Sequence, residues 1–152
     1  MTVSKTSFAF DGDVALISVH PVHVHKIMSG EKNLEFRRVW PTRSIETLVV
    51  YATSPEQRLA AIVQVAGVVR ASKTALWQVA AVEGGGITRQ ALSDYLEGKE
   101  QGVAIRLGER VDLGLGVLPK KVFGASFRPP QSFRYLSDTE KAKVRALLGA
   151  PR

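Results

Sequence analysis

The chain has 152 residues, no cysteine and a net charge of +7 at neutral pH. That length suits one domain with its own core, and the absence of thiols excludes both a disulfide framework and a thiolate metal site. No apolar run approaches the roughly 20 residues that a membrane-spanning helix needs, and the N-terminus lacks the basic start and greasy stretch of a signal peptide, so a soluble, cytoplasmic protein with no membrane partner is expected.

In chain order, VALISV (14–19) is rich in β-branched and apolar residues and predicts a buried strand. His20-Pro21 opens a short helix, with Val24, Ile27 and Met28 on one face and Gly30 able to end it. From Leu34 the pattern has period two, with Leu34 and Phe36 alternating against Glu35 and Arg37, as on a half-buried strand. TLVVYAT (47–53) reads as a central strand, Ser54-Pro55 as a turn, and AAIVQVAGVV (60–69) as a third strand with Gly67 as a bulge or bend. Ser72 caps a helix with Leu76, Trp77 and Ala80; the glycines 84–86 read as a flexible connector; Thr88 caps a helix whose inner face carries Leu92, Tyr95 and Leu96. GVAIRL (102–107) is again strand-like, two weaker strands are expected within 111–124, and Ser137 with Glu140 forms a capping box that opens a C-terminal helix.

Strands outnumber helices and do not alternate with them regularly, which argues against a doubly wound sheet. An α+β fold is expected, a mixed β-barrel with short helices at its rim and a C-terminal helix, since closure hides strand edges. The expected division is an N-terminal extension over 1–13, the barrel over 14–136, and the helix of 137–152 packed on the same domain.

The segment GEKNLEFRRVW (30–40) concentrates charge beside apolar residues. On a strand Glu35 and Arg37 project from one face and Leu34 and Phe36 from the other. Lys32, three residues before Glu35, joins them only if the chain is irregular after Gly30. Together the three would set two donors around one acceptor, suited to a planar polar group such as a base edge, with cations for a phosphate; the alternative is a solvated face with a local ion pair.

Gly30, Lys32, Glu35 and Arg37 match the G-x-K-x-x-E-x-R signature of the ASCH domain family, a branch of the PUA-like barrels. The segments ALISVHP before it, VVYATSP (49–55) after it and PPQSFRYL (129–136) near the end are also similar to family segments, so the resemblance spans about residues 14–136. It implies a β-barrel with a cleft for RNA or a modified nucleotide, lined by the signature residues. It also implies an enzymatic alternative, hydrolysis of an acylated cytidine or of RNA, with Lys32 and Glu35 as catalytic groups. The family's amidohydrolases, however, carry threonine in place of Glu35 and take a carboxylate from a later helix, where this chain has Gln90 and Ala91, with Asp94 one turn on.

The expected ligand site comprises Lys32, Glu35 and Arg37, walled by Tyr51, Ser54, Gln131 and Ser132. Arg38, a partly exposed Trp40 able to stack on a base, Lys120, Lys121 and Arg128 form the approach. Between Leu113 and Ser137 there are four basic residues and no acid, a field that favours polyanions, nucleic acid first and anionic membrane surfaces second; with the family resemblance, RNA or a nucleotide is the expected partner and DNA the alternative. No metal or cofactor is expected. In HPVHVH (20–25) His25 points away from His20 and His23, and no acid or cysteine completes a tetrahedral set, so a rim helix with exposed imidazoles is the reading.

Overall fold

Strands covered on both faces need apolar side chains at every position, and the long apolar runs of the sequence fill that role here. The computed structural model describes residues 8–149. Its elements are β1 (Asp13–Val19), α1 (Pro21–Ser29), β2 (Leu34–Arg37), β3 (Ile45–Ala52), β4 (Arg58–Ala71), α2 (Lys73–Glu83), α3 (Arg89–Tyr95), β5 (Gly102–Asp112), α4 (Pro119–Phe123), β6 (Phe133–Tyr135) and α5 (Asp138–Gly149). The strands form one sheet in the order β2-β5-β4-β3-β1-β6. Only β1 and β3 pair in parallel; the remaining ladders are antiparallel. The sheet curls into a half-barrel with helices packed around it, an α+β, PUA-like fold.

Alternate residues divide the core. Ala15, Ile17 and Val19 of β1, Leu48 and Val50 of β3, and Val103 and Ile105 of β5 fill the inside of the curl, which α1 closes with Val24 and Ile27. Val14, Leu16, Val49 and Ile62 face outwards and are covered by Phe8, Phe10, Val122 of α4 and Val144 of α5. A third cluster sets Leu34 and Phe36 of β2 and Ala104 of β5 against Leu76 and Ala80 of α2 and Leu92 and Leu96 of α3. The outer face of β2 is therefore sealed, and its inner face carries the charges.

The caps are local. Ser72 and Thr88 accept from Ala75 N and Ala91 N, Gly30 ends α1 at φ 85°, and Ser137 and Glu140 bond each other's backbone N–H at 3.2 and 2.9 Å. The bend expected at Gly67 coincides with register slips in the β4–β5 ladder between Val63 and Gly67.

Three expectations are corrected. The weak strands of 111–124 do not form: β5 runs on to Asp112, Gly114 turns at φ 78°, and Pro119 starts α4. Tyr95 is not on the core side of α3. It is 40% exposed, because Leu92 and Leu96, four apart, already occupy the buried face and Tyr95 lies about 100° around the helix from Leu96. Finally, Gly84 to Gly86 are a packed wall rather than a loose connector. Gly86 has φ 63°, and a Cβ there would lie 2.7 Å from the Cβ of Lys32. Replacing Gly86 with alanine is therefore expected to cost more than about 1 kcal/mol through its φ alone, read as a lowered urea midpoint at unchanged slope. Gly12→Ala, with no atom within 4 Å of its Cβ position, should leave the midpoint in place.

Candidate functional site

The site begins where α1 ends. After Gly30 the Lys32 N–H donates to Lys26 O at 3.0 Å, and the Asn33 N–H donates to Gly84 O at 2.7 Å. From β5 the half-buried Arg110 guanidinium donates to Lys32 O at 3.1 Å and to Asn33 Oδ1 at 2.9 Å. These bonds hold residues 30–33 out of strand geometry until β2 begins at Leu34. The irregularity brings Lys32 to the face of Glu35, which strict alternation would not.

Lys32 Nζ lies 3.3 Å from Glu35 Oε1, and Arg37 NH2 donates to Glu35 Oε2 at 2.8 Å. All three residues are buried, at 3%, 6% and 7% exposure. Arg37 also reaches across the curl: NH2 donates to Ser18 O on β1 at 3.0 Å, and NH1 to Ser132 O and Oγ at 3.3 and 3.2 Å. Ser132 O accepts from Ser18 N as well, and Ser18 Oγ donates to Pro130 O at 2.6 Å. Thus β2, at one end of the sheet, is tied to the β1–β6 end through one guanidinium.

Glu35 and Arg37 border an open concavity of about 300 Å³, lined also by Ser18, Val19, His20, His23, Tyr95 and Gln131 with Phe36 and Ile87, and Lys32 lies behind this lining. His23 Nδ1 is 3.3 Å from Lys32 Nζ. Burial, and then the Lys32 ammonium, hold the His23 imidazole below its ordinary pKa, against the opposing pull of Glu35. Burial raises the Tyr95 phenol. Among the described residues no cluster of three or more His, Asp or Glu could hold a metal ion, and no helix is long and apolar enough to cross a membrane.

No family model matches the chain. A curated relative, the ASCH domain-containing ribonuclease of Zymomonas mobilis, is 30% identical over 139 residues, covering 90% of this chain and 93% of that protein. The chain belongs to the ASCH domain family. The crystal structure of ASCH from Zymomonas mobilis matches with a TM-score of 0.78 at 29% identity, over 88% of this chain and 94% of that one. A serine-to-alanine variant of the same protein matches at 0.80 and 28% identity, over 90% and 97%.

Within this ASCH domain the remaining expected site residues divide. Gln131 lines the concavity and Ser132 accepts from Arg37. Tyr51 does not wall it: the side chain is 4% exposed in the outer core, with its ring 5.6 Å from Phe127. On β3, Val50 faces inwards, so its neighbour Tyr51 faces out. Ser54 sits exposed in the β3–β4 turn and does not line the concavity. Trp40 is 4% exposed and packs 4.8 Å from the Phe133 ring, as part of the inner core and not as a stacking platform. Arg38 is exposed and donates to Tyr95 O and Glu97 O, securing the end of α3. Lys120, Lys121 and Arg128 are exposed. Asp94 accepts from Gln90 at 2.8 Å and stays outside the concavity. Sequence reasoning missed four polar lining residues, Ser18, His20, His23 and Tyr95. The signal for His23 was its place beside Val24 on α1, at the border of the buried face.

Breaking a buried ion pair leaves the partner charge uncompensated, at about 3–5 kcal/mol. Glu35→Gln should therefore lower stability by roughly that amount in urea unfolding, because Lys32 and Arg37 would then share a buried site with no anion.

Proposed function

We propose that this ASCH domain binds RNA at the concavity beside Lys32, Glu35 and Arg37, with the strand's phosphates facing the two cations and a base edge facing Glu35. The observation that carries this reading is the buried trio. Three ionised groups placed under cover lose hydration that apolar residues of the same volume would not, so stability alone does not call for them. Their net charge of one positive unit suits a phosphodiester. The Glu35 carboxylate has about four acceptor positions, and Lys32 and Arg37 take two, leaving room for a base amino group.

The test is fluorescence anisotropy with a labelled single-stranded RNA. The apparent affinity should fall with salt by about 0.7 log units per log unit for each phosphate contact. Lys32→Met should weaken binding by about tenfold or more, the value of a charge-assisted hydrogen bond. Salt-insensitive binding, or equal binding by Lys32→Met, would count against the concavity as the RNA site. The same oligonucleotide in DNA form distinguishes RNA from polyanions in general.

A second reading, cleavage of the bound RNA, is favoured by the name of the Zymomonas mobilis relative as a ribonuclease. Here Lys32 and Arg37 would stabilise the charge that develops on the phosphoryl oxygens. Hydrolysis of an acylated cytidine is less supported. Among the described residues Glu35 alone supplies a carboxylate to the concavity lining, both of its oxygens are engaged, and Asp94 lies outside. Incubation with end-labelled RNA should yield fragments with the unsubstituted protein and none with Lys32→Met purified in parallel. Intact RNA in both reactions, with binding retained, leaves a binding protein.

A further inference from the structure

Lys32 is almost wholly buried and lies behind the lining of the concavity, next to His23 and Glu35, which both line it. An ammonium has three N–H bonds and no lone pair. His23 Nδ1, 3.3 Å from Nζ, is its side-chain hydrogen-bond partner among the described residues, and Glu35 Oε1, at the same distance, is its ion-pair partner. The Phe36 ring lies beneath at 5.8 Å from Nζ to its centroid. One N–H is thereby directed at His23, and the ion pair draws the ammonium towards Glu35.

The Lys32–His23 contact also settles the state of the imidazole. A nitrogen that accepts from an ammonium carries no proton, so the ring is neutral and its hydrogen is on Nε2. An imidazolium would set a second N–H against the ammonium, and the two cations would repel at hydrogen-bond distance. The charged and titratable groups facing His23 are His20 and Lys26 on its own helix, and Lys32 and Glu35 from the opposing β2 arm; Arg37 and Tyr95 line the same concavity. Burial and the Lys32 charge favour the neutral ring.

We propose that His23 is a positioning residue for Lys32, its unprotonated Nδ1 accepting an ammonium N–H so that the charge, paired with Glu35, is held directly behind the concavity where a phosphate of the RNA would sit. This rests on the RNA-binding reading above and adds to it a proton-sensitive element. When His23 takes up a proton, Nδ1 stops accepting, Lys32 loses one of its two guides, and its share of the binding falls. Protonation also adds a positive charge that attracts RNA whether or not Lys32 is present. The informative quantity is therefore the ratio of Kd for Lys32→Met to Kd for the unsubstituted chain.

Asparagine offers an oxygen at the same number of bonds from the backbone as Nδ1 but does not titrate; leucine offers no acceptor. With labelled single-stranded RNA at pH 7.5, His23→Asn should bind as the unsubstituted protein does. His23→Leu should bind about fivefold more weakly, a part of what a charge-assisted hydrogen bond is worth, since the ion pair with Glu35 remains. From pH 7.5 to pH 5 the Lys32 ratio should fall towards one with His23 present and stay constant in the His23→Asn background. Long-range 1H–15N spectra of the ring, recorded without RNA, should show the Nε2–H tautomer at pH 7.5. A ring protonated on Nδ1 at that pH, unchanged binding by His23→Leu, or a Lys32 ratio that does not move with pH would each overturn the positioning role. Failure of the unsubstituted protein to bind RNA at all would instead overturn the functional reading, and the RNA role of His23 with it.

Discussion

The Arg37 guanidinium is the constraint on which the arrangement depends. From the end strand of the sheet it reaches the β1 backbone at Ser18 and the chain leading into β6 at Ser132, while it also holds Glu35. One planar group thus ties the two ends of a curled sheet and anchors the carboxylate that in turn faces Lys32. A single ammonium could not do this, because it lacks the rigid, branched set of donors that serves several acceptors in one plane. The half-barrel and the site share this tie, so the site is built into the closure and not added to a finished surface.

A second layer supports the first. Arg110 holds the carbonyl of Lys32 and the side chain of Asn33, and Gly86, after α2, presses against Lys32 so closely that a methyl group would not fit. Buried charges keep their value for recognition only when their geometry is held in advance, since reorganisation on binding would consume the gain. Here the elements contacting the motif turn come from α2, β5 and the end of α1. The concavity lies within a protein of net charge +7, and such a field draws in a polyanion.

Much of the fold was legible because its signals are local. The alternation at Leu34 to Arg37, the apolar runs of β1, β3 and β4, and the caps at Ser72, Thr88 and Ser137 each express the preferences of a few neighbouring residues. The ASCH signature was legible for the same reason, being four positions within eight residues. Local signals failed where two elements compete for one role. Period two in β3 does not tell which face meets the concavity when apolar residues cover both, and Tyr51 turned to the outer core. Trp40 looked available beside Arg37 and Arg38, but the inner core needed a large ring against Phe133.

By itself, then, the sequence determined strands β1 to β5, the caps at Ser72, Thr88 and Ser137 and the chemical identity of the ammonium, carboxylate and guanidinium groups, because those follow from short-range sterics and hydrogen bonding. Tertiary structure alone decided that Lys32 would turn to the side of Glu35, that His23 would meet it from another element, and that Arg37 would close the seam. Each of those contacts joins segments whose separation is set by how the sheet curls, and curl is a property of all six strands together.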